Sequence, residues 1–344
     1  MCSCASAPEQ GLPPDGGATG RSWVSTNKVV TNKPESVSGT PTRRPVVVRP
    51  TSHLPVSVRL PESVDGDSRG GEPARVVRTG ESAGPRQTVT ECSGRSMNVV
   101  AHEDDDLLFI NPSVSEDLAD GRCVVTVYVT AGDAGRGRGY WMGREQGARD
   151  AYAAMTGDAG WKEDTPVVRG RSVARFTLGN GRATLIFLRL PDAHTSADRP
   201  QDGLRRVWSG ELAAVRTVDD GERYGRVDLI GALAMLMSEY RPDEIRTLDY
   251  AGRYGDGDHD DHHTVGYLAE AAQRAYGLPH RISGYLGYNV AKWPANLADD
   301  VRDAKLGYFL AYAPHDRNVC QTAAACLGNF YAPRFSHRIV TAEG

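Results

Sequence analysis

Two short stretches hold residue types that can do chemistry together. In NVVAHEDDDLLF (98–109), His102 is followed by four acidic residues, Glu103, Asp104, Asp105 and Asp106, set between apolar runs. In GDGDHDDHHTVG (255–266), His259, His262 and His263 fall within five residues of one another, among aspartates. Like charges this dense repel, so such a turn is either solvated or balanced by a cation. Imidazole nitrogens and carboxylate oxygens suit Zn²⁺, and a catalytic zinc takes three protein ligands and keeps a position for water. The same donors also hold Fe²⁺, Co²⁺ or Mn²⁺. The two clusters together predict one metal centre.

The elements around them must bring the clusters to one place. MNVVA, VVTVYVTAGD (124–133), ATLIFLRLPD (183–192) and EIRTLDY (244–250) read as apolar strands, each ending in polar or acidic residues, and HRISGYLGY (280–288) as a further strand. Between and after them, 143–157, 226–240, 262–277 and 299–312 carry helical patterns. Strands alternating with helices predict an α/β fold, Rossmann-like, with a mostly parallel sheet and helices on both faces. Ligands of such sheets bind beyond the carboxyl ends of the strands. Four polar loops on that rim therefore predict a single site.

The AHEDDD turn resembles the AHPDDE turn of the LmbE-like (PIG-L) zinc-dependent deacetylases. His259, Asp261, His262 and Gly266 match that family's second signature, His-x-Asp-His-x-x-x-Gly. TAGDAGRGRGYWMGREQGARDAYA resembles its second-strand segment, and the resemblance covers roughly residues 97–315. It implies that His102, Asp105 and His262 hold zinc, that Asp104 is the general base, and that His259 polarises the amide carbonyl or assists as acid. Asp261 or Asp260 would orient a histidine from behind. Glu103 stands where the family has proline and Asp106 where it has glutamate, so a register with Asp104 as ligand and Asp106 as base stays open. Gly257 occupies the place of a tyrosine found in some relatives, and Tyr254 is the alternative oxyanion donor.

The implied reaction is removal of the N-acetyl group from an acetamido sugar or glycoconjugate. Alternatives are an amidase acting on a larger sugar amide conjugate, and a metal-dependent carbohydrate-binding protein without turnover. Asp133, Arg136, Arg138, Tyr140 and Arg144 in and after the second loop are candidates for substrate contact. Asp249 is a candidate to support a ligand, His194 reads as a solvated loop residue, and the tryptophans read as packing.

Residues 1–96 hold one aromatic residue, Trp23, and three leucines. They predict a disordered leader before a deacetylase domain over 97–344, with Met97 as an alternative start. The leader has 12 basic and 9 acidic residues, so the chain's net charge of −4 leaves −7 on the remainder. That balance gives no field for nucleic acid. No run is apolar enough to span a bilayer, and no secretory signal core is present. The expectation is a cytoplasmic protein; a mis-assigned start would leave secretion open. A bridge between Cys320 and Cys326 would itself favour an oxidising compartment.

Overall fold

The structure is a computed structural model that describes residues 91–193, 203–328 and 330–344. The expected leader lies outside the described residues except for 91–96, and His194 lies outside them too. The chain forms an eight-stranded sheet with strands β1 (Arg95–Val100), β2 (Cys123–Thr130), β3 (Trp161–Asp164), β4 (Ala174–Leu178), β5 (Ala183–Leu190), β6 (Glu244–Leu248), β7 (Arg281–Tyr285) and β8 (Val340–Glu343). Their spatial order is β8-β7-β6-β1-β2-β5-β4-β3. The central five, β7-β6-β1-β2-β5, are parallel, and β8, β4 and β3 are added antiparallel at the two margins.

The side-chain alternation of the strands divides the core in two. Val125, Val127 and Val129 of β2 face the helices α3 (Leu204–Ser209), α4 (Arg226–Tyr240) and α5 (Asp260–Tyr276), with Leu204, Leu229, Leu233, Val265 and Leu268 in the same core. Val124 and Tyr128 face the opposite side, where Val114 and Leu118 of α1 (Ser113–Ala119) and Ala148 and Tyr152 of α2 (Arg138–Thr156) cover the sheet. The expected parallel sheet with helices on both faces is therefore present. No helix among the described residues is long and apolar enough to cross a membrane.

The connections run from β1 to β2 on one side and later return, through α4, to β6 on the other side of β1. The strand order thus reverses beside β1, with Val99 paired to both Val127 and Thr247. A crevice opens beyond the carboxyl ends at such a switch point, and the two histidine-bearing loops follow β1 and β6. Gly266 makes that arrangement close: a Cβ there would lie 2.8 Å from the Leu248 carbonyl oxygen. Without a side chain at this position α5 settles onto the end of β6 and carries His259 and His262 to the rim.

The sequence did not foresee the antiparallel additions, nor one of the two cystine bridges among the described residues. Cys320 pairs with Cys326, and Cys92 pairs with Cys123 at the start of β2.

Candidate metal centre and active-site cavity

The turn after β1 is built around Asp105. Its Oδ2 accepts the backbone N–H groups of Ala101 (3.1 Å) and His102 (2.7 Å) and lies 3.3 Å from His102 Nδ1. This fixes the carboxylate and leaves Oδ1 facing His262 Nε2 at 3.1 Å. Asp106 points the other way, where its Oδ2 accepts the hydroxyls of Tyr128 (3.1 Å) and Tyr152 (2.7 Å). Burial pushes the Asp106 carboxyl up to about 7, against the pull of those two tyrosines. Asp104, not Asp106, lines the cavity, so the geometry gives the alternative register no support.

The second cluster caps α5. His259 is the N-cap, and its Nδ1 accepts the backbone N–H of Asp261 at 3.1 Å. A neutral ring whose Nδ1 accepts carries its proton on Nε2. His262 has the opposite arrangement. Its Nδ1 lies 2.8 Å from Asp258 Oδ1, a carboxylate that can only accept, so Nδ1 holds a proton, and Nε2, 3.1 Å from Asp105 Oδ1, is the nitrogen that can bind an ion once its own proton is displaced. The network thus gives the two Nδ1 atoms on one turn opposite roles, acceptor in His259 and donor in His262.

The carboxylates of the cluster draw positive charge to it, carried by the histidines themselves when no ion is bound. Burial alone would lower the His262 pKa, but Asp105 and Asp258 override it and raise the ring to about 10. His102 is likewise raised well above the usual range, with Asp105 and Asp192 outweighing burial. Burial would raise the Asp258 carboxyl, yet His262 and its backbone N–H partners hold it down to about 2. Two sets of donors share His102: His102, Asp105 and His262, and His102, Asp192, His259 and Asp261. In each set the donor atoms lie within 4.8 Å of one another, and all are buried. Buried His102 Nε2 has no hydrogen-bond partner, its nearest carboxylate oxygens standing 3.6 and 3.8 Å away. These buried histidines and carboxylates form a cluster able to hold a metal ion.

Asp192, at the end of β5, is the member of the cluster that sequence reasoning passed over. It lies 3.8 Å from His102 Nε2 and 3.6 Å from His259 Nε2. Its signal was its position, since it ends a strand on the same rim as the other acids. Asp261 Oδ2 accepts the Ala193 N–H at 2.9 Å and sits 3.6 Å from His102 Nε2.

A cavity of about 170 Å³ opens over the cluster, with His102, Asp104, Asp192 and His259 on its floor and Tyr140, Arg144, Tyr288, Asp316, Asn318 and Tyr331 around it. Arg144 is buried and its guanidinium is fully engaged. It donates to Asp104 Oδ1, the Tyr312 hydroxyl and the Gly132 carbonyl, each at 2.6 Å, and lies 3.2 Å from Asp316. Gly132 (φ 48°) is required here, because a Cβ would overlap the Arg144 guanidinium and the Glu103 carboxylate. Burial raises the Asp104 carboxyl and Arg144 opposes that rise.

Tyr140 donates to Asp316 Oδ1 at 2.8 Å and also lines the cavity. Asp133 does not line it; its carboxylate accepts the N–H groups of Asp192 (2.9 Å) and Gly135 (3.0 Å) and ties two rim loops together. Asp249 likewise accepts the Ala251 and Gly252 N–H groups, bracing its loop. Tyr254 donates or accepts at Thr264, 2.9 Å away, and is not part of the cavity wall. Tyr288, Asp316 and Tyr331 come from late segments without a recognisable motif.

Residues 97–273 match the family described as GlcNAc-PI de-N-acetylase, PIG-L. The chain belongs to the PIG-L family. It is 27% identical over 191 residues to the 1D-myo-inositol 2-acetamido-2-deoxy-alpha-D-glucopyranoside deacetylase of Tsukamurella paurometabola, covering 54% of this chain and 58% of that protein. The chain therefore spans less than two thirds of that PIG-L relative's length. Similar solved structures include the N,N'-diacetylchitobiose deacetylase from Pyrococcus horikoshii, at a TM-score of 0.43 and 15% identity over 70% of this chain and 75% of that one. Another is a deacetylase in the biosynthesis pathway of teicoplanin, at a TM-score of 0.42 and 16% identity over 70% of this chain and 89% of that one.

Proposed function

We propose that this PIG-L chain is a metal-dependent hydrolase that removes the N-acetyl group of an acetamido sugar or glycoconjugate. The observation that carries the reading is the convergence of His102, Asp105 and His262, buried with donor atoms within 4.8 Å of one another, beside a cavity lined by Asp104 and His259. His262, its Nδ1 held by Asp258, presents Nε2 to Asp105 as a ligand would once its proton is displaced, while His259, its Nδ1 accepting from Asp261, keeps its proton on Nε2 as an oxyanion donor would. His102, Asp105 and His262 would hold the ion, and zinc suits this donor set. When bound, zinc polarises a carbonyl and lowers the pKa of water to about 7.

The remaining steps fall to the chain's own side chains. Asp104, on the cavity floor, takes the proton of the attacking water and returns it to the departing amine. His259 Nε2–H donates to the carbonyl oxygen as negative charge develops there, an interaction of roughly 3 kcal/mol for one well-placed donor. Arg144 holds Asp104 in place through its 2.6 Å contact. The tyrosines and Asn318 around the rim offer apolar faces and hydroxyl or amide groups, a surface suited to a pyranose. The Tsukamurella relative, described as a deacetylase of an acetamido-glucopyranoside, favours the same substrate class.

The test combines metal analysis with acetate release from N,N'-diacetylchitobiose and from the methyl glycoside of N-acetylglucosamine. Wild type should hold one metal ion per chain and release acetate. His262→Ala should lose both properties. Asp104→Asn should keep the ion and lose at least about 100-fold in kcat, the scale of general acid–base catalysis. Full turnover by Asp104→Asn, or metal retained in His262→Ala, would overturn the reading.

A further inference from the structure

A second opening, of about 360 Å³, adjoins the cavity and shares Tyr140 with it. Arg136, Arg317 and His315 line it, and the α2 wall is bare where Gly139 and Gly143 stand. A Cβ on Gly139 would meet nothing within 4 Å, so the groove is open on that side.

The charge of this groove runs against that of the protein. Residues 97–344 carry −7, and the neighbouring metal cluster is rich in carboxylates. Among the described residues, however, neither Arg136 nor Arg317 is paired with a carboxylate. Arg136 donates to the neutral amide oxygen of Asn318 at 2.8 Å and lies over the Tyr140 ring at 4.7 Å. Arg317 is exposed. The nearby acids are already engaged: Asp150 contacts His315 at 2.7 Å, and Asp316 accepts from Tyr140 and Tyr312 and pairs with Arg144. Two guanidinium groups therefore face the groove with their charge unneutralised.

The groove is also wired to the cavity. Asn318 accepts from Arg136 and donates to the Tyr140 hydroxyl at 2.8 Å, and both Asn318 and Tyr140 line the cavity. Tyr140 thus stands between the cavity and the arginines. Planar guanidinium groups bind phosphate and carboxylate oxygens through paired N–H donors.

We propose that this groove is a subsite for an anionic substituent, phosphate or carboxylate, carried by the unit joined to the acetamido sugar. The inference rests on the deacetylase reading for the sugar's placement, but the anion subsite is tested separately.

The first experiment compares kcat/KM for methyl N-acetylglucosaminide, N-acetylglucosamine 1-phosphate and N-acetylglucosamine linked to glucuronic acid. Wild type should favour at least one anionic substrate, and Arg136→Gln/Arg317→Gln should lower the anionic-to-neutral ratio about 10-fold through KM. The preference should weaken with salt, since the Debye length is about 8 Å at 0.15 M. Preference for the phosphate arm alone, or the uronate arm alone, names the anion.

The second experiment titrates inorganic pyrophosphate into the metal-loaded wild type and double variant by calorimetry, which needs no turnover. Binding lost in the variant supports the subsite even if no acetamido sugar is hydrolysed, in which case only the deacetylase reading falls. Equal pyrophosphate binding by both proteins, or a variant with an unchanged substrate ratio, overturns the proposal.

Discussion

Replacing Arg144 with methionine tests the logic of the cavity most severely. The guanidinium makes three hydrogen bonds of 2.6 Å, to Asp104, Tyr312 and the Gly132 carbonyl, with Asp316 at 3.2 Å and Glu103 at 3.5 Å. Glu103 is wholly buried, and both of its carboxylate oxygens lack a hydrogen-bond partner. Burial raises its pKa and Arg144 is the largest influence opposing that rise. Methionine would leave three buried carboxyl groups without their cation. Breaking a buried pair from one side costs about 3–5 kcal/mol. At about 2–4 °C per kcal/mol for a domain of this size, the melting temperature should fall by roughly 10 °C.

Arg144→Lys refines the test. Lysine keeps the charge but cannot spread donors over three acceptors in one plane. It should recover part of the stability and little of the activity, because Asp104 would no longer be held in position. Thermal unfolding by circular dichroism reads the first effect, and kcat at saturating substrate reads the second. If Arg144→Met melts with wild type, the cluster does not depend on its cation and the reasoning fails. If Arg144→Lys has wild-type kcat, the guanidinium does not position the base.

Zinc at 100 times its dissociation constant should add about 2.7 kcal/mol to stability. Differential scanning calorimetry should show that gain in wild type and none in His262→Ala. His259→Ala should lose roughly 100-fold or more in kcat while keeping its metal; loss of the ion would contradict the tautomer assignment. Lys305, buried with one acceptor, the His337 carbonyl at 2.9 Å, has its pKa driven well below the lysine range by burial, with Arg338 adding to the effect. The unfolded lysine binds a proton that the folded one releases, so this site makes stability rise with pH from the depressed folded pKa up to about 10.4. Lys305→Met should remove that slope and raise stability at neutral pH by about 1 kcal/mol, as urea unfolding at several pH values would reveal.

The sequence displayed the site better than its surroundings. His102, Asp104, Asp105, His259, Asp261 and His262 could be read because each lies in a short, charge-dense turn next to an apolar strand or helix. The central strands were legible as apolar runs, and α4 and the helix Asp299–Tyr312 stand where their patterns put them. Strand β3, WKED, is too polar and too short to read as a strand; pairing with β4 creates it. Asp316, Tyr288 and Tyr331 reach the cavity only through tertiary packing. Arg144 was read as a substrate contact, and the structure surrounds it with acids from two separate segments, a circumstance no local pattern encodes.

The two halves of the metal cluster sit on neighbouring strands that are remote in the chain, since β1 pairs with β6 through Val99 and Thr247. Closing a loop of about 150 residues is an entropic cost met late, after the local helices and hairpins have formed. A nascent chain that has made only β1 and β2 holds His102 and Asp105 but not His262. An ion held by this cluster would therefore find both halves of its site only after β6 has paired with β1, and could not template the earlier steps. Binding the native state alone, it would slow unfolding and leave the folding rate almost untouched.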